Sequence, residues 1–220
     1  GPVVHCVAPR AATSFVAEVL HGVGAQSVVT GTSPDALAAA ATADAAVFDL
    51  GTLGAEWSDA VIPAVASARQ AGVPWVLDVT PLGRTPLRTD RVRNLLVHRP
   101  GVVRASLEVM EGVHIEVPDG ALVTGPVAGL VRVGEEEFEV PGGADALANI
   151  PGVRSAVCAL MAACLTVAEP REAALAGAAW VALASERAAE RSNGPGSFRV
   201  ALVDALASVR GDEIAEYLHL

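Results

Sequence analysis

Short, almost wholly apolar runs alternate along this chain with longer stretches of helical pattern, and few folds accommodate that rhythm. Residues 3–7 (Val-Val-His-Cys-Val), 26–30, 45–50, 75–79, 102–105 and 121–124 read as strands. Helical patterns fill the intervals: residues 11–23, stopped by Gly24; residues 36–43; and residues 57–70, ended by Gly72. Ser33-Pro34-Asp35 supplies a cap, a proline at the first helical position and an acid in the first turn, and Thr89 reads as the cap of a helix running to His98. The last third is mostly helical, with apolar runs over 156–167 and 173–184. Strands without a polar face must be covered on both sides, so the expectation is an α/β fold with a mainly parallel sheet between two helical layers. In such sheets ligands sit at the carboxyl ends of the strands.

Two places depart from the rhythm. Between residues 106 and 120 a parallel crossover would need a helix, yet Val113-His114-Ile115-Glu116-Val117 followed by Pro118-Asp119-Gly120 resembles a strand and a turn, so a shortened crossover is expected there. Downstream, residues 130–133 and 137–140 flank Gly134-Glu135-Glu136 as a hairpin.

Composition excludes several function classes. At 220 residues, 52% hydrophobic and 18% charged, the chain can bury one large core, and a single domain over 1–220 is expected. A net charge of −10 leaves no excess of cations to displace the counterions of a nucleic acid. The apolar runs fall short of the roughly 20 residues a membrane span needs. No charged n-region with an apolar core opens the chain, so a cytoplasmic location is the expectation. Cys6, Cys158 and Cys164 have neither disulfide nor zinc spacing and read as core thiols.

The candidate site is the junction Pro151-Gly152-Val153-Arg154-Ser155, a glycine turn leading into a small-residue helix. A helix start offers unpaired N–H groups and the positive end of the macrodipole, which suits a phosphate or a developing oxyanion.

Further residues carry a family resemblance. Pro2-Val3-Val4-His5-Cys6-Val7, Gly24-Ala25, Asp44-Ala45, Leu50-Gly51-Thr52-Leu53, Gly72-Val73-Pro74 with Val76-Leu77-Asp78, Thr85-Pro86-Leu87-Arg88-Thr89 and Gly194-Pro195-Gly196-Ser197-Phe198 together, in this order, resemble hydroxyethylthiazole kinase. The resemblance covers nearly the whole chain. It implies a ribokinase-like three-layer α/β/α sandwich, a homotrimer with active sites between subunits, and ATP- and Mg²⁺-dependent phosphorylation of a small thiazole alcohol in thiamine salvage.

Residue by residue the resemblance is mixed. The family's Thr-Gly-Thr-Gly-Cys anion hole and base fall on 151–155, where only Gly152 is kept, Arg154 replaces a glycine and Ser155 replaces the catalytic cysteine. Arg154 either lies across the hole, clamps a phosphate, or faces solvent, and Ser155 unassisted is a poor base near neutral pH. Arg104 matches an ATP-contacting arginine and Thr124 a hydroxyl near the nucleotide phosphates. Asp78 keeps an acidic position associated with Mg²⁺, while the family's metal-linked Glu falls on Val109. On the substrate side Val29 replaces a methionine that contacts the thiazole, Ala8-Pro9-Arg10 replaces Thr-Asn-Tyr, and Asp49 replaces an asparagine. Two readings follow: a working small-molecule kinase, with Ser155 and Arg154 catalytic, Gly152 and Val29 against the substrate and Arg104 and Thr124 against ATP; or a non-catalytic trimeric relative that binds a ligand or a protein partner.

Overall fold

A computed structural model describes residues 1–30, 35–51, 57–79, 86–106, 108–110, 115–117, 119–125 and 129–219. The strands are β1 (Val3–Val7), β2 (Gln26–Thr30), β3 (Ala45–Asp49), β4 (Trp75–Asp78), β5 (Val102–Arg104), β6 (Ala121–Thr124), β7 (Leu130–Val133) and β8 (Glu136–Glu139). They form one eight-stranded sheet in the order β2-β1-β3-β4-β5-β6-β7-β8. All pairs from β2 to β6 are parallel, and the β7–β8 hairpin extends the sheet antiparallel.

The helices are α1 (Thr13–Gly22), α2 (Asp35–Thr42), α3 (Trp57–Ala71), α4 (Pro86–Leu96), α5 (Val153–Leu165), α6 (Pro170–Glu190), α7 (Pro195–Ser208) and α8 (Gly211–Tyr217). Strand periodicity sorts them into two layers. Ala45 and Val47 face a core shared with α1, α5, α6, α7 and α8, whereas Ala46 and Phe48 face a second core with α2, α3 and α4. The apolar runs of the sequence are thus the signature of a sheet buried on both sides.

Several local expectations are corrected. Thr89 does not cap a helix: it lies inside α4, which already starts at Pro86, a residue whose fixed φ and missing N–H suit a first turn. Helix α5 starts at Val153, and α6 extends from Pro170 to Glu190, because charged residues on its solvated flanks continue the turn beyond the apolar stretch. Residues 115–117 are not a strand, and 108–110 form one helical turn whose Val109, with Ile115, is buried in the second core. Ser33, Pro34, Thr85, Val113, His114 and Pro118 lie outside the described residues.

The Gly194–Phe198 motif has a structural explanation. Ser197 Oγ accepts the Asn193 N–H at 3.1 Å and donates to the Gly194 carbonyl at 3.1 Å, Pro195 opens α7, and Phe198 is buried in the first core.

Candidate active site

The sheet brings three charged side chains into one row. Asp49, Asp78 and Arg104 are the last residues of β3, β4 and β5, and the strand register pairs Asp49 with Asp78 and Asp78 with Arg104. Each stands two residues beyond a first-core residue (Val47, Val76, Val102), so strand alternation turns the row toward the α5 layer. All three are buried, Arg104 to 1% and Asp78 to 0% exposure. Isolated charges cannot be held in such a place without partners. Arg104 Nη1 donates to Asp78 Oδ2 at 3.4 Å and Nη2 to the Gly125 carbonyl at 3.4 Å.

The start of α5 lies over this row. Gly152 precedes it with φ +85°, and a Cβ there would come within 2.9 Å of Ala12 Cα; only glycine permits the turn to pack so closely on the start of α1. Among the described residues neither the Arg154 nor the Ser155 amide has a backbone acceptor, so two donors stay open at the positive end of the helix. Successive helical residues are about 100° apart, and the two side chains diverge accordingly. Ser155 is buried and donates to Asp49 Oδ2 at 2.5 Å, whereas Arg154 is exposed, lines a 360 Å³ depression formed by residues 148–154, and has no ion pair among the described residues. Arg154 does not lie buried across the helix start; it is exposed at the depression, where its guanidinium has no side-chain partner among the described residues.

Asp49 is the residue that sequence reasoning passed over as a substitution. Its Oδ1 accepts the Gly51 N–H at 2.8 Å and its Oδ2 the Ser155 hydroxyl, joining a strand end to a helix start 106 positions away. Burial, and then the neighbouring Asp78 carboxylate, push Asp49 up to about 7. A carboxyl raised in this way contributes its stability in full below its unfolded pKa and loses it as pH rises through the folded value. Relative to Asp49→Asn, the wild-type chain is therefore expected to lose about 2 kcal/mol of stability between pH 5 and 8. Urea denaturation at both pH values checks this, and a constant difference would show that Asp49 is ionised throughout.

The remaining candidates are dispersed. Thr124 ends β6, buried, but follows the parity of Leu122 toward the second core, so it and Arg104 leave the sheet on opposite faces. Arg104 is turned onto Asp78 and Gly125 instead of standing open to a ligand, because the aspartate beside it in register needs a counter-ion. Val29 pairs with Cys6 and packs against the first core. His5 Nε2 shares a 2.8 Å hydrogen bond with Thr30 Oγ1, its ring meets Phe48 edge-on, and burial pushes it down to about 4, so it is neutral at physiological pH. The three cysteines are free, and burial, reinforced by Asp78 and Asp49, raises the Cys158 thiol well above its ordinary value, which disfavours the thiolate.

The carboxylates do not fit a divalent cation as they are packed. Mg²⁺ takes oxygen ligands in near-octahedral geometry. Both Asp49 oxygens already accept hydrogen bonds, and Asp78 is the counter-ion of Arg104, so its expected place beside a metal is taken by a guanidinium. No group of three or more His, Cys, Asp or Glu among the described residues could hold a metal ion. A phosphate, in contrast, fits the open amides of Arg154 and Ser155.

A mostly parallel sheet between two helical layers is the fold shared with ribokinase-like proteins. Arabidopsis thaliana ribokinase complexed with ribose and ATP shares the fold with a TM-score of 0.57 at 13% identity, over 93% of this chain and 98% of that one. A hydroxyethylthiazole kinase structure from Pyrococcus horikoshii OT3 superposes with a TM-score of 0.87 at 25% identity, over 98% of this chain and 91% of that one. A sequence model of the hydroxyethylthiazole kinase family matches residues 1–117 and 105–212. Hydroxyethylthiazole kinases from Cronobacter sakazakii and Pectobacterium carotovorum are 32% and 30% identical, over 93% and 97% of this chain and 87% and 91% of theirs. The chain belongs to the hydroxyethylthiazole kinase family.

Proposed function

We propose that this chain transfers the terminal phosphoryl group of ATP to the hydroxyl of hydroxyethylthiazole or a closely related small alcohol. The observation that carries this reading is the pair of open amides at Arg154 and Ser155, held over the strand-end charges in a chain of this family. Phosphoryl transfer depends mainly on positioning and charge stabilisation, which oriented backbone donors supply without reorganisation. Gly152 sets the turn, the two amides receive the phosphoryl oxygens, and the exposed Arg154 adds a positive charge beside the depression of residues 148–154. Arg104 acts from beneath, fixing Asp78 and the Gly125 carbonyl rather than gripping the nucleotide. Thr124 and Val29 are assigned to the nucleotide and the thiazole in this reading by the family resemblance alone. No step is assigned to a metal on the described carboxylates.

A homotrimer with its sites between subunits belongs to the same reading. The edge strand β2 leaves Val28 39% exposed, and Leu37 on α2 is 46% exposed, so both offer apolar surface to a neighbour. Sedimentation is expected to give three times the 22.3 kDa of one chain.

Burial of Arg104 against Asp78 and the Gly125 carbonyl, away from a nucleotide, favours the second reading, a non-catalytic relative that binds a ligand or a protein partner. Calorimetric titration with hydroxyethylthiazole and with ATP and Mg²⁺, followed by a turnover assay on the same sample, separates the two. The kinase reading expects both ligands to bind and a phosphate monoester to form. Binding without turnover selects the second reading, and absence of binding removes the kinase reading and leaves a fold kept for another ligand or a protein partner.

A further inference from the structure

We propose that Asp49, acting through Ser155, takes the proton that the substrate alcohol releases on phosphoryl transfer. The assignment rests on the kinase reading above and deepens it.

Ser155 has a single proton, and the structure directs it to Asp49 Oδ2 at 2.5 Å. Its remaining lone pairs are therefore acceptors, which makes Ser155 Oγ a proton acceptor toward any hydroxyl placed against it. Asp49 is held for this role: Gly51 N–H fixes Oδ1 at 2.8 Å, and the carboxylate is buried from bulk water. The Ser155 amide is one of the two open donors at the start of α5, so a phosphoryl group received there lies next to Ser155 Oγ.

The charges around Asp49 are consistent with proton exchange near neutral pH. Asp78 faces it from β4 and disfavours its ionisation; Arg104 on β5 favours it only weakly, being engaged by Asp78. The thiols of Cys6 on β1 and Cys158 on α5 are both pushed up by burial and carry no charge to compete. Burial and Asp78 bring Asp49 up to about 7, where it can both accept a proton and release one.

The step balances. The alcohol oxygen forms a bond to the γ-phosphorus, and the bond from that phosphorus to the β–γ bridging oxygen breaks, its electron pair leaving with the nucleoside diphosphate. The alcohol proton passes to Ser155 Oγ as the Ser155 proton passes to Asp49 Oδ2. Asp49 touches neither substrate nor phosphate and is a positioning and proton-holding residue; Ser155 is the catalytic one.

Asp49→Asn inverts the contact. With its amide oxygen turned to Gly51 N–H, the side chain offers an N–H to Ser155 Oγ, occupies one of its two lone pairs and leaves no carboxylate to take the Ser155 proton. The test compares wild type, Asp49→Asn, Ser155→Ala and the double variant in steady-state turnover of hydroxyethylthiazole with ATP from pH 5.5 to 9, after urea denaturation shows each to be folded. The expected result is a wild-type kcat that rises through an ionisation near neutral pH. In Asp49→Asn that limb is gone and kcat falls roughly 10²-fold, with KM for ATP little changed. Ser155→Ala loses about as much and the double variant no more than either, the signature of two residues acting as one unit. A retained pH limb in Asp49→Asn, or losses that multiply in the double variant, would overturn the pair while leaving the kinase reading intact. Absence of turnover by the wild-type chain overturns the kinase reading itself, and the pair with it.

Discussion

Arg104→Ala is expected to destabilise the chain by about 3–5 kcal/mol, the usual cost of breaking a buried ion pair from one side. Arg104 and Asp78 are 1% and 0% exposed, so neither solvent nor salt screens the loss. The variant leaves Asp78 beside Asp49 in register, two buried carboxyls without the cation that now stands at the end of the row. The loss is expected to be larger at pH 8, where Asp49 is ionised, than at pH 5, where it holds a proton. Urea denaturation at the two pH values measures both effects. The double variant Arg104→Met with Asp78→Leu should recover most of the stability, since a hydrophobic pair of similar volume removes the stranded charge. A single variant within about 1 kcal/mol of wild type at pH 8 would mean that water reaches this row, contrary to its burial.

The second large effect is expected at Gly177, where α6 crosses α5. A Cβ at this position would stand 2.6 Å from Met161 Cγ and 3.1 Å from both Met161 Cα and Met161 N. The methionine side chain can swing away, but the backbone of α5 can yield only by moving the helix. Gly177→Leu is therefore expected to cost about 3 kcal/mol, at the upper end of the range for overpacking a core. Because α5 carries Ser155 and the open amides at its other end, nucleotide affinity should fall with stability. Trimming Met161 to Ala in the same chain should restore only part, since the backbone contacts remain. Thermal denaturation gives the direct readout, and a Gly177→Leu melting temperature within 2 °C of wild type would contradict the close crossing.

Local pattern carried much of the fold. β1, β2 and β6 have the bounds that their apolar runs suggest, because each run is closed by turn residues or polar positions. Boundaries failed where one residue type serves two local roles. Thr89 resembles a cap, but Pro86 begins the helix before it; the apolar run ends at Ala184, yet α6 continues to Glu190, with Ser185 and Ala188 buried on its inner face while Glu186, Arg187 and Glu190 interrupt the apolar pattern. The family was legible because its motifs keep their order along the chain. The site was less so. Gly152 and Ser155 stood out at the turn, whereas Asp49 registered only as a changed residue at the end of a strand.

The sequence by itself determined the alternation of strands and helices, the burial of the sheet on both faces and the family, because periodicity and turn chemistry act over a few neighbouring residues. Tertiary structure alone decided that Asp49, Asp78 and Arg104 form one row, that Arg104 turns to Asp78, that Arg154 turns to solvent and that Ser155 meets Asp49 across 106 positions. Those outcomes depend on the register between strands and on the rotation of α5 over the sheet. Both are set by packing of side chains distant in sequence.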